Sequence, residues 1–175
     1  YLAGYMTNPA RAVSLGVDYE LAQEPIAGYA HKVGTGISWR PMANLSLSAL
    51  VGYEKRDGWL LHQRNQNFTD FESEQWNASL RVEYYLTARQ QITAGLQWVG
   101  VSAAGDRFYL LPADAPTRNR DLVEVARPDG TVNDFSLSQM NFQLRYRWEI
   151  APLSDIFIVY TRNGNQRSEL INFNE

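Results

Sequence analysis

Apolar and polar residues alternate along most of this chain, in stretches of about ten residues. In the clearest stretch, 76–84, the apolar residues Trp, Ala, Leu, Val and Tyr alternate with Asn, Ser, Arg and Glu. Such a period of two predicts a β-strand with one apolar face and one polar face. Soluble strands usually span about five or six residues, whereas about ten tilted residues cross the hydrocarbon core of a membrane. The length of the stretches therefore indicates transmembrane strands.

The same pattern predicts eight antiparallel strands, joined alternately by short turns and by longer polar loops. The strands cover 1–6, 11–21, 28–40, 45–53, 76–84, 92–98, 137–150 and 155–162. The short turns fall at 7–10, 40–44, 87–90 and 151–154, and the long loops at 54–74 and 103–134. The last strand is apolar on both faces, so its orientation stays open. The predicted fold is all-β: residues 1–175 form a single segment of an antiparallel transmembrane β-barrel.

Aromatic residues mark both ends of these strands. Trp39, Tyr84 and Trp148 lie beside short turns, and a second group lies at the opposite ends: Tyr53, Trp76 and Trp98. Tryptophan and tyrosine prefer the headgroup level of a membrane, because one end of each ring is apolar and the other forms hydrogen bonds. The two groups therefore predict two interfacial girdles. In bacterial outer-membrane barrels the short turns are periplasmic and the long loops are extracellular, which orients the chain.

Composition narrows the class of protein further. The mean hydropathy is −0.38, and no apolar run is long enough for a membrane-spanning helix. A barrel strand shows an apolar residue to lipid only at every second position, so this low average is expected. The net charge of −3 comes from interspersed acidic and basic residues, which disfavours nucleic acid as a partner. The chain has no cysteine, which excludes disulfides and thiolate chemistry.

Strand parity carries an expectation about barrel size. The first predicted strand leads to a short turn, and the eighth leads away from one. The chain therefore begins and ends on the long-loop side, whereas a complete barrel normally has both ends on the periplasmic side. We expect these residues to be a contiguous part of a larger barrel.

Charged residues at polar strand positions are candidates for facing the barrel lumen. They are Lys32, Arg40, Arg81, Glu83, Arg145, Arg147 and Glu149. These side chains could line a solute path and set its selectivity. The alternative, favoured for any single residue, is a network of cross-strand pairs that satisfies a polar interior.

The long loops contain aromatic residues that could stack on sugars or contact a partner: Trp59, Phe68, Phe71, Phe108 and Tyr109. The alternative is that these side chains fold inward over the barrel mouth. His31 and His62 are the only histidines, and no residue spacing marks a catalytic or calcium-binding motif. We therefore expect a chain that is not an enzyme and has no catalytic residue, metal site or cofactor.

The region 142–162 carries a more specific signal. It contains Arg145-Tyr146-Arg147-Trp148-Glu149, then Pro152, and then an apolar strand that ends in Tyr160-Thr161-Arg162. With a weaker match at 92–98, it resembles the C-terminal barrel of an uncharacterised outer-membrane family. In that family a domain similar to family 9 carbohydrate-binding modules precedes a large barrel. The resemblance covers about the last third of the chain, does not include the carbohydrate-binding part, and implies location rather than mechanism.

The expected function is that of an outer-membrane barrel segment, which supplies wall strands and surface loops for the uptake or binding of a solute or glycan. The expected partners are outer-membrane lipid, a glycan or small solute, and other membrane proteins, with no nucleic acid. One alternative is a surface binding or adhesion module that acts through its extracellular loops. Less favoured alternatives are an outer-membrane hydrolase and a soluble β-sandwich.

Overall fold

One antiparallel β-sheet contains every strand of the computed structural model, which describes residues 1–113, 121–127 and 134–169. The strands are β1 (Leu2–Met6), β2 (Val13–Gln23), β3 (Tyr29–Met42), β4 (Leu45–His62), β5 (Asn67–Thr87), β6 (Gln90–Leu110), β7 (Val123–Val125), β8 (Phe135–Ala151) and β9 (Ser154–Glu169). Neighbours in sequence are neighbours in the sheet, except that the short β7 pairs with β6 beside the β6–β8 pairing. Strands β1 and β9 are the two edges and do not pair with each other. The all-β, antiparallel prediction is confirmed; closure into a barrel stays a prediction.

No helix within these residues is long and apolar enough to span a membrane.

The pairing register brings the predicted apolar positions together. Trp39 lies opposite Leu47, Leu47 opposite Val82, Val82 opposite Ala94, and Ala94 opposite Leu144. Residues directly opposite one another in a sheet share a face. The alternation is therefore in phase from β2 to β8 and produces one apolar face and one polar face.

Strand β9, whose orientation the sequence leaves open, is placed by its pairing with β8. Ile158 lies opposite Tyr146 and therefore on the apolar face, together with Ile156 and Tyr160. Phe157 and the neighbouring Val159 lie on the polar face, opposite Arg147 and Arg145.

The apolar face has no covering layer. Its large side chains are exposed, with relative exposures of 47 % for Trp39, 43 % for Leu80 and 62 % for Ile158. A β-sandwich would need a second sheet to pack against this face. The strands of the described ranges all belong to one sheet, so the arrangement that a soluble sandwich requires is not present in them.

The four short turns lie where the alternation predicts them. The connections are residues 7–12, 43–44, 88–89 and 152–153. In the first, the Thr7 hydroxyl accepts a hydrogen bond from the Leu15 amide at 2.8 Å, and the Asn8 side chain accepts one from the Ala10 amide at 2.9 Å. In the last, Leu153 adopts a φ of 65°.

The prediction of a long loop at 54–74 is wrong. Strand β4 continues to His62 and β5 begins at Asn67, so a four-residue turn joins two long strands. The loop predicted at 103–134 is also shorter, because β6 runs to Leu110 and pairs there with β7; residues 114–120 and 128–133 lie outside the described residues. Polar composition excludes a lipid-facing strand, but a strand in water needs only backbone pairing. We call 54–62, 67–75, 103–110 and β7 the outer extension.

The outer extension contains the only buried hydrophobic side chains within the described ranges: Phe71, Ala103, Phe108 and Tyr109. Phe71 packs against Trp59 and Phe135, with ring centroids 6.5 Å and 5.7 Å away. This small core gives the polar strands beyond the apolar face a hydrophobic contribution of their own.

The β2–β3 connection, residues 24–28, closes onto β4. Glu24 accepts two hydrogen bonds from Arg56, at 2.7 and 2.9 Å. Beside this pair Gly58 has a φ of 116°, at a register irregularity of β4. A Cβ at Gly58 would collide with the carbonyl oxygen of Ala27. This position therefore requires glycine both for its backbone angle and for the close approach.

We expect Gly58→Ala to destabilise the outer extension by about 1–3 kcal/mol, because it forces both a left-handed alanine and a backbone clash. The measurement is urea unfolding in detergent micelles, followed by the fluorescence of Trp59. The control is Gly95→Ala, since a Cβ at Gly95 meets no atom within 4 Å. Equal shifts of the unfolding midpoint in the two variants would contradict this explanation.

Candidate functional site

Aromatic side chains border the apolar face at both ends. The predicted girdle residues all lie on this face, with Trp39, Tyr84 and Trp148 toward the short turns and Tyr53, Trp76 and Trp98 toward the outer extension. At the outer border the rings of Tyr53 and Trp76 lie 4.7 Å apart. The indole nitrogen of Trp98 donates a hydrogen bond to the Ser138 hydroxyl at 3.0 Å. The Trp98 indole thus has a hydrogen-bonding partner within the outer border.

The two aromatic borders do not follow the rows of residues that lie directly opposite one another across neighbouring strands. The row of directly opposite residues that starts at Trp39 reaches β8, four strand pairs away, at Leu144. Trp148, the border residue of β8, lies four residues nearer the short turns than Leu144. At the outer border Trp76 is level with Tyr53, and Trp98 lies two residues nearer the turns than Gly100, the β6 residue opposite Trp76.

The short-turn border therefore steps by one residue per strand, and the outer border moves in the same direction. At ~3.4 Å per residue and ~4.8 Å between strands, this step means that the strands are inclined by about 35° to the axis of the apolar band. Strands of transmembrane barrels are inclined by roughly 35–45°.

The polar face is the concave face of the sheet. A groove of about 770 Å³ runs over β1 to β5, lined by residues such as Ser14, Asp18, Lys32 and Asn77. A flat sheet has no walls, so the groove requires that the sheet curve toward this face. At Gly34 the absence of a side chain leaves room for the Asp18 carboxylate, with which a Cβ would collide.

All the predicted lumen residues lie on this polar face: Lys32, Arg40, Arg81, Glu83, Arg145, Arg147 and Glu149. Some of these charges are neutralised, because Arg81 pairs with Glu83 at 2.7 Å and Arg147 contacts both carboxylate oxygens of Asp155 at 3.1 Å.

Two of the arginines have no carboxylate partner among the residues that the structure describes. Arg40 donates to the Pro9 carbonyl at 2.6 Å, and the guanidinium of Arg145 lies 4.7 Å from the ring centre of Phe157. Their charges stay available on the polar face.

A second groove, of about 250 Å³, lies at the short-turn end of the polar face. Ser14 lies opposite Ser38, and Ser38 opposite Ser48, so three hydroxyls form one row across β2, β3 and β4. Arg81 of β5 ends that row, and Arg40 lies at its side. Sequence reasoning missed the serines as site residues, although they occupy polar-phase positions of three consecutive predicted strands.

The aromatic residues predicted to bind from the long loops are mostly unavailable to a ligand. Phe71, Phe108 and Tyr109 are buried, with relative exposures of 1 %, 6 % and 6 %, and they form the core of the outer extension. Trp59 and Phe68 are half-buried. Trp59 also carries the Arg56 guanidinium 5.2 Å above its ring. The structure therefore favours the alternative that these side chains fold inward.

An ionic cluster lies beside this core. Asp70 is 1 % exposed and its carboxylate lies 2.7 Å from Arg107. Asp106 approaches the same guanidinium at 3.2 Å and Asp57 at 3.8 Å. One arginine thus balances three carboxylates, of which only Asp70 is fully buried.

Burial is the main cause that raises the pKa of the Asp70 carboxyl above its ordinary value. The Arg107 charge opposes this shift. The neighbouring carboxylates of Asp106, Asp57 and Glu24 add to the increase. The burial of a carboxylate with only one cationic partner is therefore a cost that the fold carries.

No group of three or more acidic or histidine side chains within the described ranges could hold a metal ion. His62, the loop histidine, lies at the β4–β5 turn, where its Nε2 is 2.6 Å from the Asn65 carbonyl oxygen.

No protein-family model, curated protein or solved structure matches this chain.

The raised pKa of Asp70 predicts a specific pH dependence. The folded chain binds this proton more tightly than the unfolded chain, so the cost is absent below pH ~4 and grows as the pH rises through the raised pKa. We expect Asp70→Asn to lose less stability than the unsubstituted chain between pH 4 and pH 7, measured as urea midpoints in detergent.

The control is Asp57→Asn. The Asp57 carboxylate lies near the same arginine, Arg107, but its side chain is 56 % exposed. Because that carboxylate remains largely in water, its removal should leave the pH dependence closer to that of the unsubstituted chain. An unchanged pH dependence in Asp70→Asn would contradict the assigned burial cost.

Proposed function

We propose that this chain forms part of the wall of a bacterial outer-membrane β-barrel, and that the barrel takes up or binds a small solute or glycan. The observation that carries the proposal is the uncovered apolar face, which stays in phase across seven strands and has aromatic borders at both ends. A face of this kind in water would be an aggregation surface. In lipid it is the surface that a barrel requires.

The inclination of the borders supports the same setting. The short-turn border steps by one residue per strand from Trp39 through Tyr84 to Trp148. The corresponding angle of about 35° falls in the range of strands that cross a bilayer in a closed barrel. Side chains placed for packing against another protein layer have no reason to follow such an inclined band.

The concave polar face supports passage or binding of a solute. Small residues and glycines along β1 to β4 keep a groove of about 770 Å³ open, and charged side chains project from the same face. Charged rings of this kind set selectivity in channels. The proposed partners are outer-membrane lipid, a small solute or glycan, and other membrane proteins; nucleic acid is not among them.

The structure favours passage over a binding role for the extracellular aromatics. Three of the five candidates are buried in the outer extension, as described above. In the proposed orientation the extension is a folded structure at the outer mouth, braced by the Glu24–Arg56 and Asp70–Arg107 pairs.

The membrane assignment is tested by a pair of adjacent substitutions. Leu80 lies on the apolar face between Ala49 and Leu96, midway between the aromatic borders. We expect Leu80→Arg to cost on the order of 2–4 kcal/mol when the chain folds into lipid vesicles. Ser79→Arg, one residue away on the polar face, should be tolerated.

The measurement is the urea dependence of folding into vesicles, followed by resistance to added protease. Both variants introduce the same side chain into the same strand, so a difference between them reports the face alone. Equal costs for Leu80→Arg and Ser79→Arg would contradict the assignment of the apolar face to lipid.

A further inference from the structure

We infer that the groove at the short-turn end of the polar face binds an oxyanion, namely a carboxylate or phosphate group carried by a solute. This inference rests on the proposed function and names the chemical class of solute that the wall would recognise. It is carried by the row of serines Ser14, Ser38 and Ser48 and by the two arginines that border the row.

The serine row is a built arrangement of hydrogen-bond donors. The three residues occupy consecutive strands and lie directly opposite one another, and Ser46 adds a fourth hydroxyl to the same groove. Side chains that face each other across paired strands have Cβ atoms about 4.5–5.5 Å apart. Within the described ranges none of these hydroxyls has a hydrogen-bonding partner, so all are available to a ligand.

Arg40 supplies the charge that an oxyanion needs, and Arg81 adds hydrogen-bond donors. Arg40 is anchored through one Nη to the Pro9 carbonyl, and no carboxylate within the described ranges neutralises it. Arg81 is paired with Glu83 at 2.7 Å, which holds its guanidinium at the end of the serine row. A guanidinium offers five donors in a planar fork, a geometry that matches carboxylate and phosphate.

The groove is less suited to other ligand classes. Glu83 is the only carboxylate among the residues that line the groove, and it is already paired with Arg81. The groove therefore lacks the several oxygen ligands that a cation site needs. An apolar ligand would leave the serine and arginine donors unsatisfied, which costs binding energy. A neutral sugar would use the hydroxyls but not the charge of Arg40.

The test is equilibrium dialysis of the purified full chain in detergent micelles at low ionic strength. The probes are D-glucuronate, glucose 6-phosphate and glucose, which share a sugar ring and differ in charge. We expect at least one anionic probe to bind tenfold or more tightly than glucose, and the tighter of the two identifies the preferred oxyanion. Equal binding of all three probes, or binding of none, would overturn the inference.

Substitutions then locate the site. Arg40→Gln should weaken anion binding about tenfold or more, because it removes a charged hydrogen bond, and Ser48→Ala should weaken it a few-fold. The matched control is Arg64→Gln, an exposed arginine of the β4–β5 turn at the opposite end of the strands. It should leave the affinity unchanged. Equal losses in Arg40→Gln and Arg64→Gln would show a diffuse charge effect and overturn the assigned site.

The proposed function and the proposed oxyanion site can be contradicted independently of each other. If Arg40→Gln does not fold in micelles, judged by its strand content, Ser48→Ala and Ser38→Ala carry the test, because they alter no bond that the fold uses. An unsubstituted chain that does not enter vesicles contradicts the proposed function. A chain that enters vesicles and binds neither anionic probe overturns the oxyanion site alone.

Discussion

The structure depends on one constraint: a sheet whose apolar face has no protein to cover it. Backbone donors and acceptors are satisfied along every interior strand by pairing, so the sheet needs no further hydrogen bonds from its surroundings there. What it lacks is a partner for the apolar side chains. In the proposed setting lipid supplies that partner, and the demands on strand length, aromatic borders and strand inclination follow from the thickness and polarity of a bilayer.

Beyond the apolar band the same strands are stabilised differently. Strands β4, β5 and β6 continue into the outer extension, where a small aromatic core around Phe71 replaces the apolar face. Ion pairs there join parts of the chain that are distant in sequence, as Arg56 does with Glu24 and Arg107 with Asp70. Buried pairs of this kind add less stability than their short distances suggest, because both charges lose water. The Glu24–Arg56 pair fixes how the β2–β3 connection meets β4, and the Asp70–Arg107 pair joins β5 to β6.

The sequence predicts the banded sheet well because the period of two is a local signal. The alternation within each strand predicts which of its faces is apolar, and the pairing register then aligns the apolar faces of neighbouring strands. The outer extension is a different case. Residues such as Asp57 and Asp70 look like loop residues in isolation, and they become strand residues through pairing partners that lie 10 to 37 positions away. No local pattern contains that information.

The same distinction between local patterns and partners distant in sequence explains which site residues the sequence could predict. The charges on the polar face could be predicted one by one from strand phase. The burial of the aromatic candidates could not, because burial of Phe108 and Tyr109 depends on strands that the sequence predicts to be loop. The serine row was hidden for a related reason. A single serine at a polar position of a strand is unremarkable, and only the pairing of β2 with β3 and of β3 with β4 places three hydroxyls side by side.

The polar face also shows why a wall of this kind can afford small residues. Glycine and serine contribute little to strand stability, and along β2, β3 and β4 they occupy much of the concave face. The apolar residues of these strands, such as Leu15, Ile37 and Leu47, lie on the opposite face. Because the two faces of a strand are independent in side-chain composition, the sheet can keep its concave side polar and built from small residues without losing its apolar face. A groove bordered by arginines is then available for recognition.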